Sequence, residues 1–374
     1  MNRVLFAAVL GPLVLLTITA CAVVSQTSEP TFPAVFTSEI ARDSNGMNFL
    51  VDVEGVVELK RQGWTDYIPV TFGTRLEWGD IVRVSDTASA VLACADLSIQ
   101  PLMAGYFGGL PCPRTVPVLI RQEAPILNPR SSALPVYPLV LSPRATALID
   151  PHPLLRWSPV TGIVTYTVVV RGRGLNWQTR TQQTEIEYPA DAPPLQPGGD
   201  GYVLVIDAND HSSEEEGSVF RGFILLEDDT VRRIRDHEQR IARLSASDTA
   251  HRYLTAQMYA THDLHADAII TLETLASDVN APVVWNALAD QYSIVGLYDQ
   301  ASNAYTAAQA LAELKGDTLA YAQAELGLGH AYWGLNDAET ALSHTQRALE
   351  LFQSLNDGAG MAQSEGFLKQ LRAP

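Results

Sequence analysis

The sequence predicts a multidomain β + α protein, with two small β modules followed by a C-terminal α-solenoid. Three observations carry this. Short apolar runs broken by Gly, Pro and Asp turns fill residues 49 to 227, a Pro-rich stretch divides them, and a small-aromatic-small helical spacing recurs after 248. The chain has 374 residues, 47% of them hydrophobic, which is enough for several separate cores. Forty-two acidic against 25 basic residues give a net charge of −17, which argues against nucleic acid or another polyanion as partner.

Asn2 and Arg3 precede an apolar run from Val4 to Leu16, followed by Ile18-Thr19-Ala20-Cys21. These residues resemble the lipobox of bacterial lipoprotein signal peptides. The resemblance implies a signal peptide over 1–20, a lipid on Cys21, and an extracytoplasmic location anchored to the cell membrane or outer membrane. An uncleaved membrane helix from Val4 to Val24 is the alternative, and it exports the remainder equally. Residues 21–48 are rich in Ser, Thr and Pro and read as a flexible stalk.

The first β module is expected over 49–125. Val51 to Leu59 alternate around Gly55, and Trp64, Ile68 to Val70, Leu76, Ile81 to Val84 and Ala90 to Leu92 follow as short strands. Cys94 and Cys112 form an isolated pair in an exported module, so a disulfide between them is expected; no His lies near enough to suggest a metal site. Gly55-Val56-Val57, Gly73 to Leu76 and Gly79-Asp80-Ile81-Val82 resemble the FecR-like extracytoplasmic domain, although Asp96-Leu97 replaces its usual Asp-Gly turn. The resemblance implies the fold and a protein-contact role. It does not extend to sigma-factor regulation, because only a few residues precede the apolar run.

A Pro-rich linker, 126–137, leads to the second module, 138–227. Leu155 and Trp157, then Tyr166, Val168 and Val170, then Ile186 and Tyr188, then Tyr202, Leu204 and Ile206 alternate as half-buried strands do. Trp157 to Val160 followed by Tyr166, and Leu195 to Gly198 followed by Tyr202, resemble the buried-Trp strand and the tyrosine corner of a fibronectin type III-like β-sandwich. A connector helix is expected over 228–247, with Val231, Ile234, Ile241 and Leu244 on its apolar face and Arg232, Arg233, Arg235, Arg240 and Arg243 in solvent.

Residues 248–374 hold the repeats. Ala256, Tyr259 and Ala268, then Ala289, Tyr292, Ala301, Tyr305 and Ala308, then Gly329, Tyr332, Ala341 and Ala348 resemble tetratricopeptide repeats. The third copy departs from the family at Thr345, where an aromatic is usual, and at Asn336, where Gly is usual. An extended helix ending near Gly316 and a capping helix from Gly360 to Leu371 are expected. In the family's geometry the second, fifth, ninth and twelfth positions of each inner helix line the groove, which places Tyr253, Gln257, Asn286, Asp290, Ser293, His330 and Trp333 there. Tyr253 and Asp290 are read as groove rather than core, and Trp333 is divided between the two. No Lys or Arg is among them, so a neutral or basic extended segment is the expected ligand.

No catalytic constellation stands out, and neither enzyme activity nor a cofactor is expected. His262-x-x-His265 lacks the Glu of a zinc protease helix, and Asp263 and Asp267 read as turn and cap residues. Asp207, Asn209 and Asp210 lack the Gly and distant Glu of a calcium loop, and with Glu214, Glu215 and Glu216 read as a solvated hairpin loop. No metal site is assigned. Two functions are weighed: a lipid-anchored scaffold whose groove holds a protein or peptide partner, and an envelope sensor or regulatory subunit acting through the FecR-like module.

Overall fold

The computed structural model describes residues 48–113, 137–217 and 222–372. The lipobox, nearly all of the stalk and the linker from 126 to 136 lie outside the described residues. The first module comprises β1 (Asn48–Glu54), β2 (Val57–Lys60), β3 (Ile68–Pro69), β4 (Arg75–Leu76), β5 (Ile81–Val84), β6 (Ser89–Ala93), β7 (Ile99–Leu102) and β8 (Phe107–Gly108). They form two antiparallel four-stranded sheets, ordered β4-β1-β6-β7 and β3-β2-β5-β8. Alternate residues close the core between them: Val57 and Leu59, Val82 and Val84, Ala90 and Leu92. Cys94 and Cys112 are disulfide-bonded with Cα atoms 5.6 Å apart. At the turn where glycine was missing, Leu97 adopts a φ of 67°, held by its N–H on the Cys94 carbonyl at 2.8 Å. A non-glycine residue there is strained by roughly 1–2 kcal/mol.

The second module comprises β9 (Val140–Ser142), β10 (Thr146–Leu148), β11 (Leu154–Trp157), β12 (Tyr166–Gly172), β13 (Leu175–Thr181), β14 (Glu185–Glu187), β15 (Tyr202–Ala208), β16 (His211–Ser212) and β17 (Gly222–Leu225). One sheet runs β10-β17-β15-β12-β13, with β16 on β15, and the other β14-β11-β9. Trp157, Tyr166, Val168, Leu204 and Ile206 are buried between them. The Tyr202 hydroxyl accepts the Gln196 N–H at 2.6 Å, the backbone anchor expected of this tyrosine.

Eight helices complete the described chain: α1 (Asp228–Ala242), α2 (Asp248–Thr261), α3 (His265–Asp278), α4 (Pro282–Ile294), α5 (Tyr298–Lys315), α6 (Thr318–Gly334), α7 (Ala338–Leu355) and α8 (Gly358–Leu371). The connector α1 is shorter than 228–247 but buries the expected Ile234 and Ile241. Each hairpin turns through one left-handed residue at an equivalent place: Asp263 (φ 58°), Gly296 (φ 72°) and Asn336 (φ 62°). Asn tolerates that conformation, which is why the repeat survives without Gly at 336. α5 ends at Gly316 in the left-handed conformation, as expected. Tyr305 fills the gap between hairpins so closely that a Cβ on Gly327 would lie 2.2 Å from its ring. Thr345 takes the aromatic position by being fully buried, its hydroxyl donating to the Ala341 carbonyl at 2.7 Å.

The second module is locked to the helices by Arg144. Its side chain is fully buried; it donates to the Val295 carbonyl at the end of α4 at 2.5 Å and to both Glu216 oxygens at 2.8 and 2.5 Å. Glu216 therefore departs from the expected solvated loop: its side chain is buried because it neutralises a guanidinium that has no access to water. Two residues on, Thr146 Oγ1 and the Ala147 N–H donate to the Asp263 carbonyl in the α2–α3 turn at 3.2 and 2.8 Å. Changing Arg144→Met should cost about 3–5 kcal/mol, since it leaves Glu216 buried without a cation. Adding Glu216→Leu should recover much of the loss, which chemical denaturation will read out.

Candidate functional site

The inner helices α2, α4 and α6 carry the face that sequence reasoning assigned to a partner. Asn286, Asp290 and Ser293 share one side of α4 because they fall at i, i+4 and i+7. Gln257 on α2 and His330 on α6 occupy the matching places on the flanking copies. The chain's own first module covers the N-terminal part of this face.

Tyr253 is the clearest correction. It is 1% exposed, its ring stands edge-on to Phe49 and Phe72 at 5.4 Å from each, and its hydroxyl donates to the Gly73 carbonyl at 3.0 Å. A phenol ringed by apolar side chains and given one backbone acceptor is a core group, and its pKa is raised by burial. The β3–β4 loop, Thr71-Phe72-Gly73, thus sits where a ligand segment was expected. Asn286 is buried as well, its amide donating to the Ala320 carbonyl of α6 at 2.9 Å. Ser293 is 5% exposed. Trp333 is half-buried and packs against an apolar cluster shared by the first module and the helices, including Phe352 and Phe367.

Two helix caps hold the first module in place. Asp317 caps α6 by accepting the Ala320 N–H at 3.0 Å, and its other oxygen accepts the Thr71 hydroxyl at 3.1 Å. Forty residues later, Asp357 caps α8 by accepting the Gly360 N–H at 2.7 Å, and its other oxygen accepts the Trp64 indole N–H at 3.0 Å. Each carboxylate therefore finishes a helix and receives a donor from the β module. Arg61 approaches Asp357 at 3.9 Å and lies over the Trp64 ring. Sequence reasoning missed these residues, although an Asp before each helix was a visible capping signal.

What stays open is the part of the face toward the C-terminal ends of the inner helices. Asp290 is exposed there; partial desolvation by the neighbouring helices raises its carboxyl to about 6, against the pull of the Tyr305 hydroxyl, which donates to it at 2.6 Å. Water contact limits that push. Gln257 beside Tyr253 is half-buried. His330 stacks on Phe367 with ring centroids 3.9 Å apart, and burial lowers its pKa to about 4, so it is neutral at pH 7. Such a surface can recognise a ligand.

The remaining chemical candidates are structural. His265 meets Gln291 at 2.9 Å while His262 turns back to the Met258 carbonyl at 2.8 Å, so the two imidazoles do not converge. Asp263 is the turn residue, but Asp267 makes no cap bond. Among the described residues no group of three His, Cys, Asp or Glu could hold a metal ion, and no helix is long and apolar enough to cross a membrane.

Helical hairpins of this kind, stacked through small and aromatic residues, define a class of protein-binding repeat. Residues 280–354, the second and third copies, match the tetratricopeptide repeat family. No curated protein matches the chain. BtubC (BKLC) from P. vanneervenii is similar at 20% identity and a TM-score of 0.32, over 38% of this chain; the match spans 63% of BtubC, just under two thirds. MamA is similar at 17% identity and a TM-score of 0.27, over 37% of this chain and 84% of MamA. The MamA RS-1 ArsTM double mutant is similar at 16% identity and a TM-score of 0.26, over 37% of this chain and 93% of its own.

Burial raises the Asp317 carboxyl from 3.8 to about 6, against the opposing pull of its cap and Thr71 bonds. The folded chain then binds this proton more tightly than the unfolded chain, so the stability it brings is full below about pH 4 and is lost as pH rises through 6. Asn caps helices as well as Asp does. Asp317→Asn should therefore flatten the fall in unfolding free energy between pH 4.5 and 7.5, by about 2 kcal/mol. Separately, Trp64→Phe should cost roughly 1.5–3 kcal/mol, the worth of a hydrogen bond to a charged acceptor. Urea titrations at the two pH values test both.

Proposed function

We propose that this chain is an extracytoplasmic, lipid-anchored protein-binding scaffold. Tetratricopeptide repeats generally mediate protein–protein contact and are typically non-catalytic. The observation that carries the reading is the open stretch of inner-helix face around Asp290, a solvent-reached carboxylate on a face whose other half is already filled by the chain's own β3–β4 loop. The partner is a protein or peptide segment, held by Gln257, Asp290, His330 and the half-exposed edge of Trp333. The first module, read as FecR-like, covers one end of the face, and the second, read as fibronectin type III-like, braces the α2–α3 and α4–α5 turns. The Ile18-Thr19-Ala20-Cys21 run supports lipid attachment at Cys21, and the Cys94–Cys112 bond suits an oxidising compartment.

A second reading, an envelope sensor, is favoured by one surface. On the outer side of the β3-β2-β5-β8 sheet Phe107 is 66% exposed, and Tyr67 lies under the Arg83 guanidinium at 4.5 Å. That aromatic and basic face is a second place where a partner could dock through the first module.

Asp290→Arg fills the open stretch with a bulky side chain. With helical content unchanged by circular dichroism, it should reduce capture of an envelope partner from detergent-solubilised membranes at least tenfold. Loss of capture on Phe107→Ser instead would favour the sensor reading. Cys21→Ser should block processing and leave a precursor that retains its apolar segment; a mutant of the same mature mass as wild type overturns the lipoprotein assignment.

A further inference from the structure

We infer that the floor of the open groove at Asp290 receives the cationic side chain, arginine or lysine, of an extended segment of a protein partner. The inference rests on the groove reading above and names the chemistry of its ligand. Asp290 accepts one hydrogen bond, from the Tyr305 hydroxyl, and no ion pair neutralises it. Arg75 is the cation whose charge acts on the same Tyr253 hydroxyl as that of Asp290, and it forms no ion pair with Asp290.

A neighbouring group on α4 is short of a donor. Asn286, one turn before Asp290 on the same side of α4 and 5% exposed, spends its amide on the Ala320 carbonyl and leaves its Oδ1 without a donor. A carboxylate with no counter-charge and a neighbouring amide oxygen with no donor are complementary to a group that brings positive charge and several N–H bonds together. Arg and Lys side chains do so; a carboxylate or a phosphate would be repelled. The chain's net charge of −17 also favours the approach of a basic segment over long range.

The test uses the full chain with selectively labelled tyrosine, so that the Tyr305 ring, assigned by Tyr305→Phe, reports on the Asp290 carboxyl by NMR. The probes are capped arginine amide and capped lysine amide, with capped citrulline amide as the neutral control. The cationic probes are expected to shift the Tyr305 resonance saturably and to weaken with added salt, while citrulline binds at least fivefold more weakly. Asp290→Asn preserves the side-chain size and an acceptor for Tyr305, and it should weaken the cationic probes at least tenfold without changing the melting temperature. Equal binding of citrulline, or unaltered binding of arginine by Asp290→Asn, overturns the proposal. The groove reading fails separately: if Asp290→Arg abolishes partner capture but Asp290→Asn leaves it intact, the groove is the site and its ligand is not cationic there. If neither change affects capture, both readings fall.

Discussion

The architecture depends on one buried guanidinium. Arg144 lies in the β9–β10 connection of the second module, where the Glu216 carboxylate, the Val140 carbonyl and the Val295 carbonyl surround it. Helix ends leave carbonyls unsatisfied, and the partial negative charge at the end of α4 adds to that of Glu216. A charge removed from water is tolerable only when its donors are all used and its counter-ion is present. Those conditions fix the sandwich against the α4–α5 turn, while Thr146 and Ala147 fix it against the α2–α3 turn one repeat earlier. The β sandwich is therefore a brace across two successive hairpins, not a spacer hung from them.

The first module acts at the other end of the inner helices. Its loops supply donors to the caps of α6 and α8, and its Phe49 and Phe72 enclose Tyr253. Repeat hairpins bury their apolar faces mainly against one another. Here part of that burial is provided by a β module, and Leu50, Leu59 and Trp64 share one apolar cluster with Leu319, Leu326 and Phe352. A face that would otherwise be open along its length is thereby shortened to the stretch around Asp290, whose polarity is set by the few groups left uncovered.

Much of this was legible from residue pattern. The strands at Val57–Lys60, Ile81–Val84 and Tyr166–Gly172 and the hairpins built on Ala289, Ala301 and Ala308 follow from periodicity, because each places its apolar residues on one buried side. β13 was not legible: Leu175, Trp177 and Thr179 alternate with polar residues at a sheet edge, and no residue of that strand is fully buried. What covers the inner-helix face was not legible. Tyr253 has the same side chain whether a partner or Phe72 covers it, and only tertiary contact decides. Arg144 and Glu216 lie 72 positions apart, and nothing local distinguishes them from solvated charges.

The shared caps also act as a gauge of length. Trp64 and Thr71 are seven residues apart on the first module, a stretch of chain that spans at most about 25 Å. They meet Asp357 and Asp317, which belong to inner helices of successive hairpins. Packed helices lie roughly 8–10 Å apart, so one more hairpin between α6 and α8 would carry the second cap away from its donor while the first stayed in register. Repeat arrays commonly gain and lose units anywhere along the stack. In this chain the module measures the interval between two units, so copy number there is fixed by a ruler outside the array, and only the region beyond α8 is free to grow.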